Sequence, residues 1–149
     1  MESKKTLTSL LLICLAGLVW FFTNTNSPVQ EASQGVTEQA SQIQEDGYYY
    51  SKEEVAAYIH QYQRLPDNYI SKQEAENRGW TPQDKEFVVG GNRFGNREGK
   101  LPKAQGRQYY EADLQSGYTD HRGPERLIYS NDGLIYYTPD HYQTFEQLY

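Results

Sequence analysis

The hydrophobic period of this chain changes once, near Trp80, and the change separates two kinds of element. Before it, Ser51-Lys52-Glu53-Glu54 reads as a capping box, with Ser51 as N-cap and Glu54 reaching back to it. Val55, Tyr58, Ile59 and Tyr62 follow at i, i+3, i+4 and i+7, a single helical stripe that Pro66 closes. Ser71-Lys72-Gln73-Glu74 is a second capping box, and Gly79 is the stop of a shorter helix. After Trp80 the helical period is gone. Glu86–Val89, Gln108–Ala112, Leu127–Ser130, Leu134–Thr138 and His141–Phe145 read as short strands, and Asn131-Asp132-Gly133 is a hairpin turn between two of them. Helices followed by strands predict an α+β fold, N-terminal helices packed on a twisted antiparallel β-sheet.

The globular part begins near Gly47 and runs through residue 149. Residues 1–26 read as a signal peptide. Lys4 and Lys5 precede an unbroken apolar run from Leu10 to Phe22, the length of a signal-peptide core and short for a bilayer-spanning helix. No clean A-x-A site follows, so an uncleaved anchor stands beside secretion as the alternative. Residues 27–46, rich in Ser, Thr, Gln and Glu, read as a flexible spacer or pro-segment.

Two of the 14 Lys+Arg and five of the 20 Asp+Glu precede Gly47, which leaves 12 basic and 15 acidic side chains in the domain, net −3. Such a domain is no general polyanion sponge; nucleic acid would have to bind a local basic site. The single cysteine, Cys14, excludes an intrachain disulfide and a Cys-based zinc site, and three histidines leave little for a His-rich metal centre. Neither metal nor cofactor is expected. Fourteen tyrosines supply the apolar bulk for a packed core.

The second half carries residues suited to chemistry. Glu111 alternates with Tyr109 and Asp113, so all three share one strand face. Arg122 and Arg126 flank the entry to the next strand, and His141 stands immediately before Tyr142. Phosphodiester cleavage without metal needs one group to take a proton, one to give a proton, and cations to hold developing negative charge. RNA brings its own nucleophile in the 2′-hydroxyl. Taken singly, a Glu and an Arg on neighbouring strands most often form a cross-strand ion pair, and Lys72 at a helix start is ordinarily solvated.

In order along the chain these residues resemble the barnase-type microbial ribonucleases, secreted guanine-preferring endoribonucleases. The resemblance runs from about Val55 to Phe145. It rests on Leu65-Pro66-Asp67-Asn68-Tyr69-Ile70, Glu74-Ala75 through Gly79-Trp80, Asn96-Arg97-Glu98-Gly99-Lys100-Leu101-Pro102, Glu111-Ala112-Asp113, Arg126-Leu127-Ile128-Tyr129-Ser130 and Asp140-His141-Tyr142-Gln143-Thr144-Phe145. The resemblance implies the microbial ribonuclease fold, with Glu111 as general base, His141 as general acid and Arg126 as the third catalytic group. It also implies phosphate binding by Lys72, Arg122 and Arg126. Guanine would be read by Asn96, Arg97 and Glu98, with Tyr142 stacking on or flanking the base. Single-stranded RNA would be the substrate, cleaved 3′ of guanosine through a 2′,3′-cyclic phosphate that is then hydrolysed to a 3′-phosphate. A small acidic inhibitor protein of barstar type and a monomeric state belong to the same expectation.

The sequence departs from barnase in places. The stretch between Trp80 and Gly90 is shorter, Asn92 stands where barnase has Asp, and Gly95 where it has Ser. Two other functions fit some of the residues. One is a catalytically weak homologue acting as an RNA- or inhibitor-binding module. The other is a carbohydrate-active enzyme, against which stands the lack of an obvious second acid beside Glu111.

Overall fold

The computed structural model describes residues 43–114 and 120–149. The readings of residues 1–26 and of the spacer up to residue 42 lie outside them. Residues 43–46, assigned above to the spacer, are part of the folded domain. Ile43 is buried, and the hydroxyls of Tyr58 and Tyr62 donate to the carbonyls of Glu45 (2.6 Å) and Ile43 (3.3 Å).

Both serines cap as expected, but the reciprocal half of each capping box is not seen among the described residues: Glu54 Oε2 accepts from the Ser51 hydroxyl (2.9 Å) and not its N–H, and Glu74 pairs with Arg78. Helix α1 spans Lys52–Tyr62 and α2 spans Lys72–Arg78; the Ser51 and Ser71 side chains accept from the backbone N–H of Glu54 and Glu74. α1 ends on Gln63 in the left-handed region, three residues ahead of Pro66, and α2 ends on Gly79 at φ 66°. The apolar stripe of α1 (Val55, Ala56, Ile59) packs on Ala112, Leu114, Leu127 and Ile135.

Among the described residues, six strands form one sheet in sequence order: β1 Tyr69–Ile70, β2 Val88–Phe94, β3 Tyr109–Asp113, β4 Arg126–Ser130, β5 Ile135–Thr138 and β6 Glu146–Gln147. The predicted α+β class holds, with one correction: β1 pairs with β2 in parallel, and only the other four pairings are antiparallel. A two-residue strand shows no period, and α2 is the crossover that a parallel pair requires. β2 also runs on past Val89, where the apolar run stops. A bulge between Gly90 and Asn92 carries the strand to Phe94. Gly90 permits it, because a Cβ there would stand 2.5 Å from the Tyr69 ring and 3.2 Å from the Ala112 Cα.

His141–Phe145 is a turn and not a strand. The Asp140 carboxylate accepts from the backbone N–H of Gln143 (3.1 Å) and Thr144 (2.8 Å), and from the Thr144 hydroxyl (2.6 Å). His141 and Tyr142 both take left-handed backbone, φ 55° and 71°. Aspartate side chains compete with strand pairing in this way, and a left-handed non-glycine residue costs about 1–3 kcal/mol. The strain falls on the two residues whose direction matters most below.

The sheet thus has two faces. One carries Ala112, Leu127 and Ile135 against α1; the other carries Tyr109, Ile128 and Tyr136 with Leu101. Glu111 sits opposite Ile128 and Asp113 opposite Arg126 on this second face.

Candidate active site

Glu111 is the centre of the second face. Only 8% exposed, it projects from β3 with both carboxylate oxygens engaged. Oε1 accepts from Lys72 Nζ at 2.8 Å, and Oε2 accepts from the Tyr142 hydroxyl at 2.6 Å. Burial pushes its pKa up, but the hydrogen bonds from Lys72 and Tyr142 and the charges of Lys72 and Arg122 outweigh it; the net displacement is below the ordinary carboxylate value. Tyr142 is displaced the other way, up to about 12, by burial and by the Glu111 carboxylate it faces. Tyr142 therefore remains a hydrogen-bond donor across the physiological range.

Behind Glu111 lies a charge triad. Asp113, 4% exposed, accepts from Arg122 through both oxygens, Nε to Oδ2 at 2.5 Å and Nη2 to Oδ1 at 2.6 Å. Arg126, 3% exposed, places Nε 3.0 Å from Asp113 Oδ1, near enough for ion pairing though off line for a hydrogen bond. Arg126 Nη1 donates to the carbonyls of Gly123 and Glu125, each at 2.8 Å. Arg126 and Asp113 face each other in register, as the alternation on β3 requires. Glu111 instead finds its cation on α2. The bidentate Asp113 contact raises the Arg122 pKa, so its guanidinium stays charged.

His141 is exposed in the turn, its backbone N–H donating to the Pro124 carbonyl at 3.0 Å. Its ring lies 4.8 Å from the Tyr142 ring, and the Tyr142 hydroxyl is the one on Glu111. The structure thus brings Lys72, Glu111, Asp113, Arg122, Arg126, His141 and Tyr142 to one side of the sheet.

The Asn96–Glu98 segment borders a cavity of about 440 Å³ with Phe94, Tyr142 and Phe145. Asn96 is buried at φ 46°, and its side chain clasps the loop, accepting from Leu101 N–H (3.1 Å) and donating to Leu101 C=O (2.8 Å). What Asn96 offers a ligand is backbone. Arg97 folds back over Gly95, where a Cβ would stand 3.4 Å from its Cγ, an ordinary van der Waals contact. Glu98 is exposed and pairs with Lys100 at 3.0 Å. Tyr142 stacks on Phe94 (centroids 5.2 Å apart, 26°), so the flat wall of the cavity is a pair of rings.

Two contributors, Phe94 and Lys100, escaped the sequence reading. Phe94 lay beyond the expected end of β2. Lys100 donates to the carbonyls of Tyr142 (3.1 Å) and Gln143 (3.3 Å), tying the loop to the His141 turn across 42 positions that no local pattern relates. Asn92, already noted as a departure from barnase, stands opposite Glu111 in register and keeps a buried Nδ2 with no hydrogen-bond partner among the described residues.

An ionised carboxylate among cations, with an imidazole one phenol ring away, is equipment for acid–base chemistry on an anionic ester. The chain belongs to the ribonuclease family, whose model matches residues 52–149; it is an RNA-cleaving enzyme. A ribonuclease of Heyndrickxia coagulans is 46% identical over 103 residues, 63% of this chain and 92% of that protein. A ribonuclease of Bacillus intermedius is likewise 46% identical over 103 residues, there 62% of the relative's length. The guanyl-specific ribonuclease St of Saccharopolyspora erythraea is 38% identical over 55 residues, 37% of this chain and 54% of that one.

Proposed function

We propose that this ribonuclease is exported, acts without metal and cleaves single-stranded RNA 3′ of guanosine. The observation that carries the mechanism is Glu111: buried, held below the usual carboxylate pKa, and bonded once at each oxygen. A carboxylate oxygen accepts two hydrogen bonds, so each keeps a lone pair free for the 2′-hydroxyl proton. As that proton leaves, the 2′-oxygen attacks the adjacent phosphorus. His141 protonates the departing 5′-oxygen, and the product is a 2′,3′-cyclic phosphate. Water then opens the ring with the roles reversed, giving a 3′-phosphate. Lys72, Arg122 and Arg126 offset the charge that gathers on the phosphoryl oxygens.

Guanine preference is supported by the loop. Its backbone N–H groups suit the O6 acceptor, the Glu98 carboxylate suits N1–H and N2–H, and the Tyr142–Phe94 pair supplies a stacking wall. The likeness to a guanyl-specific relative supports the same reading. Short RNAs carrying one unpaired G, A, C or U, incubated in EDTA, test it. Cleavage is expected 3′ of G alone; equal cutting at all four bases overturns the assignment of the loop. The enzyme acts as a monomer, and its cationic groove is where a small acidic inhibitor of barstar type would seat.

The depressed pKa of Glu111 sets the pH dependence. The base must be ionised, so kcat/KM falls as pH drops through the Glu111 pKa, on a limb placed below that of an ordinary glutamate. Lys72→Ala removes the largest depressing partner while burial stays. The acid limb is expected to move to higher pH, with a loss of about a hundredfold at neutral pH. A limb that stays put would contradict the assignment of that pKa to Glu111.

A further inference from the structure

Contacts in series join the base-reading loop to the carboxylate that takes the proton. Glu98 pairs with Lys100, Oε2 to Nζ at 3.0 Å. Lys100 Nζ donates to the carbonyls of Tyr142 at 3.1 Å and Gln143 at 3.3 Å. The Tyr142 hydroxyl in turn donates to Glu111 Oε2 at 2.6 Å. An ammonium has three N–H groups and no acceptor, so these three oxygens are a full set of partners for Lys100. Tyr142 is held on its other side as well, its N–H donating to Oγ1 of the fully buried Thr138 at 2.9 Å. With its N–H and C=O both anchored and its ring stacked on Phe94, Tyr142 aims its hydroxyl as the turn directs.

Guanine enters this series at its first member. In the proposed base site its N1–H and N2–H meet the Glu98 carboxylate, whereas adenine has no N–H at those two positions. Two donors on Glu98 compete with the Lys100 ammonium for the charge of one carboxylate. The ammonium then closes on the carbonyls of Tyr142 and Gln143, and the turn that aims the phenol at Glu111 is tightened. Adenine leaves Lys100 shared with Glu98.

We infer that Lys100 and Tyr142 relay the engagement of guanine at Glu98 to Glu111, so that the choice of base is expressed in kcat as well as in binding. The inference rests on the proposed guanosine site. Lys100 is a positioning residue in it, acting on the reaction only through Tyr142. Coupling between two sites needs a contact that differs between two states. Here that contact is the division of one ammonium between a carboxylate and two carbonyls.

The test is kcat and KM for GpC and ApC on the intact protein in EDTA, for wild type, Lys100→Met, Tyr142→Phe and the double variant. Methionine keeps an unbranched side chain at a position 37% exposed, and phenylalanine keeps the ring in the cavity. Wild type is expected to prefer GpC by about tenfold in kcat itself. Lys100→Met should lower kcat on GpC about fivefold more than on ApC, with KM moved by less than about twofold. In the Tyr142→Phe background the same substitution should add no further base-dependent loss, because the relay has lost its end. A wild-type preference lying wholly in KM would overturn the relay alone. So would equal slowing of both substrates by Lys100→Met, or additive losses in the double variant. Failure of folded wild type to distinguish GpC from ApC would overturn the guanosine site and the relay together.

Discussion

Glu111→Gln is expected to lower kcat by about a thousandfold, leaving KM for RNA and the folded state nearly unchanged. The amide keeps the shape of the side chain and still accepts from Lys72, but it takes no proton at neutral pH. The alternative role for Glu111 is a partner in a partly buried ion pair with Lys72, separated by 2.8 Å. That role predicts the reverse pattern, a loss of stability with turnover retained. His141→Ala is expected to match the loss in kcat, because the acid and base act in one concerted exchange. The measurement is single-turnover cleavage of a G-containing oligonucleotide, beside a thermal melt of each variant. A Glu111→Gln protein that still turns over normally would contradict the assignment of Glu111 as the general base.

The largest effect on stability belongs to Asp113. Its carboxylate, 4% exposed, is the shared anion of Arg122 and Arg126, and Arg126 is itself only 3% exposed. Asp113→Ala leaves a buried guanidinium without its counter-charge. A broken buried pair costs about 3–5 kcal/mol. For a domain of this size that corresponds to a fall in Tm of roughly 15 °C or more. Arg122→Ala should cost far less, since Asp113 keeps Arg126 and the lost side chain is one-third exposed. Equal melting temperatures for Asp113→Ala and Arg122→Ala would show that the triad does not anchor the sheet face.

The local code of the chain was legible wherever the signal was local. Ser51, Ser71 and Gly79 cap as their types dictate, and Asn131-Asp132-Gly133 turns between β4 and β5. The alternation Tyr109, Glu111, Asp113 put one carboxylate in the centre of a face and another beside Arg126. What was not legible depended on distant partners or on side chains that override backbone preference. Tyr142-Gln143-Thr144-Phe145 has the composition of a strand, yet Asp140 captures its N–H groups and turns it. That turn brings the Tyr142 hydroxyl onto Glu111, 31 positions away. Tyr142 thus both lines the base cavity and holds the proposed general base. Asn96 shows the same limit: its type suits a base contact, but its amide is spent on Leu101. Ile43 looked like spacer because its neighbours are polar; it is buried, and the hydroxyls of Tyr58 and Tyr62 bond the carbonyls of Glu45 and Ile43.

The measurement that bears most directly on the central claim is product analysis in H₂¹⁸O with EDTA present, following a single-guanosine oligonucleotide by mass spectrometry. The account predicts a 2′,3′-cyclic phosphate that forms first without ¹⁸O, then a 3′-phosphate carrying one ¹⁸O. Both steps should be lost in His141→Ala. Direct appearance of an ¹⁸O-labelled phosphate end with no cyclic species would mean that water, and not the 2′-hydroxyl, is the first nucleophile. That result would contradict Glu111 as the base that activates the 2′-hydroxyl.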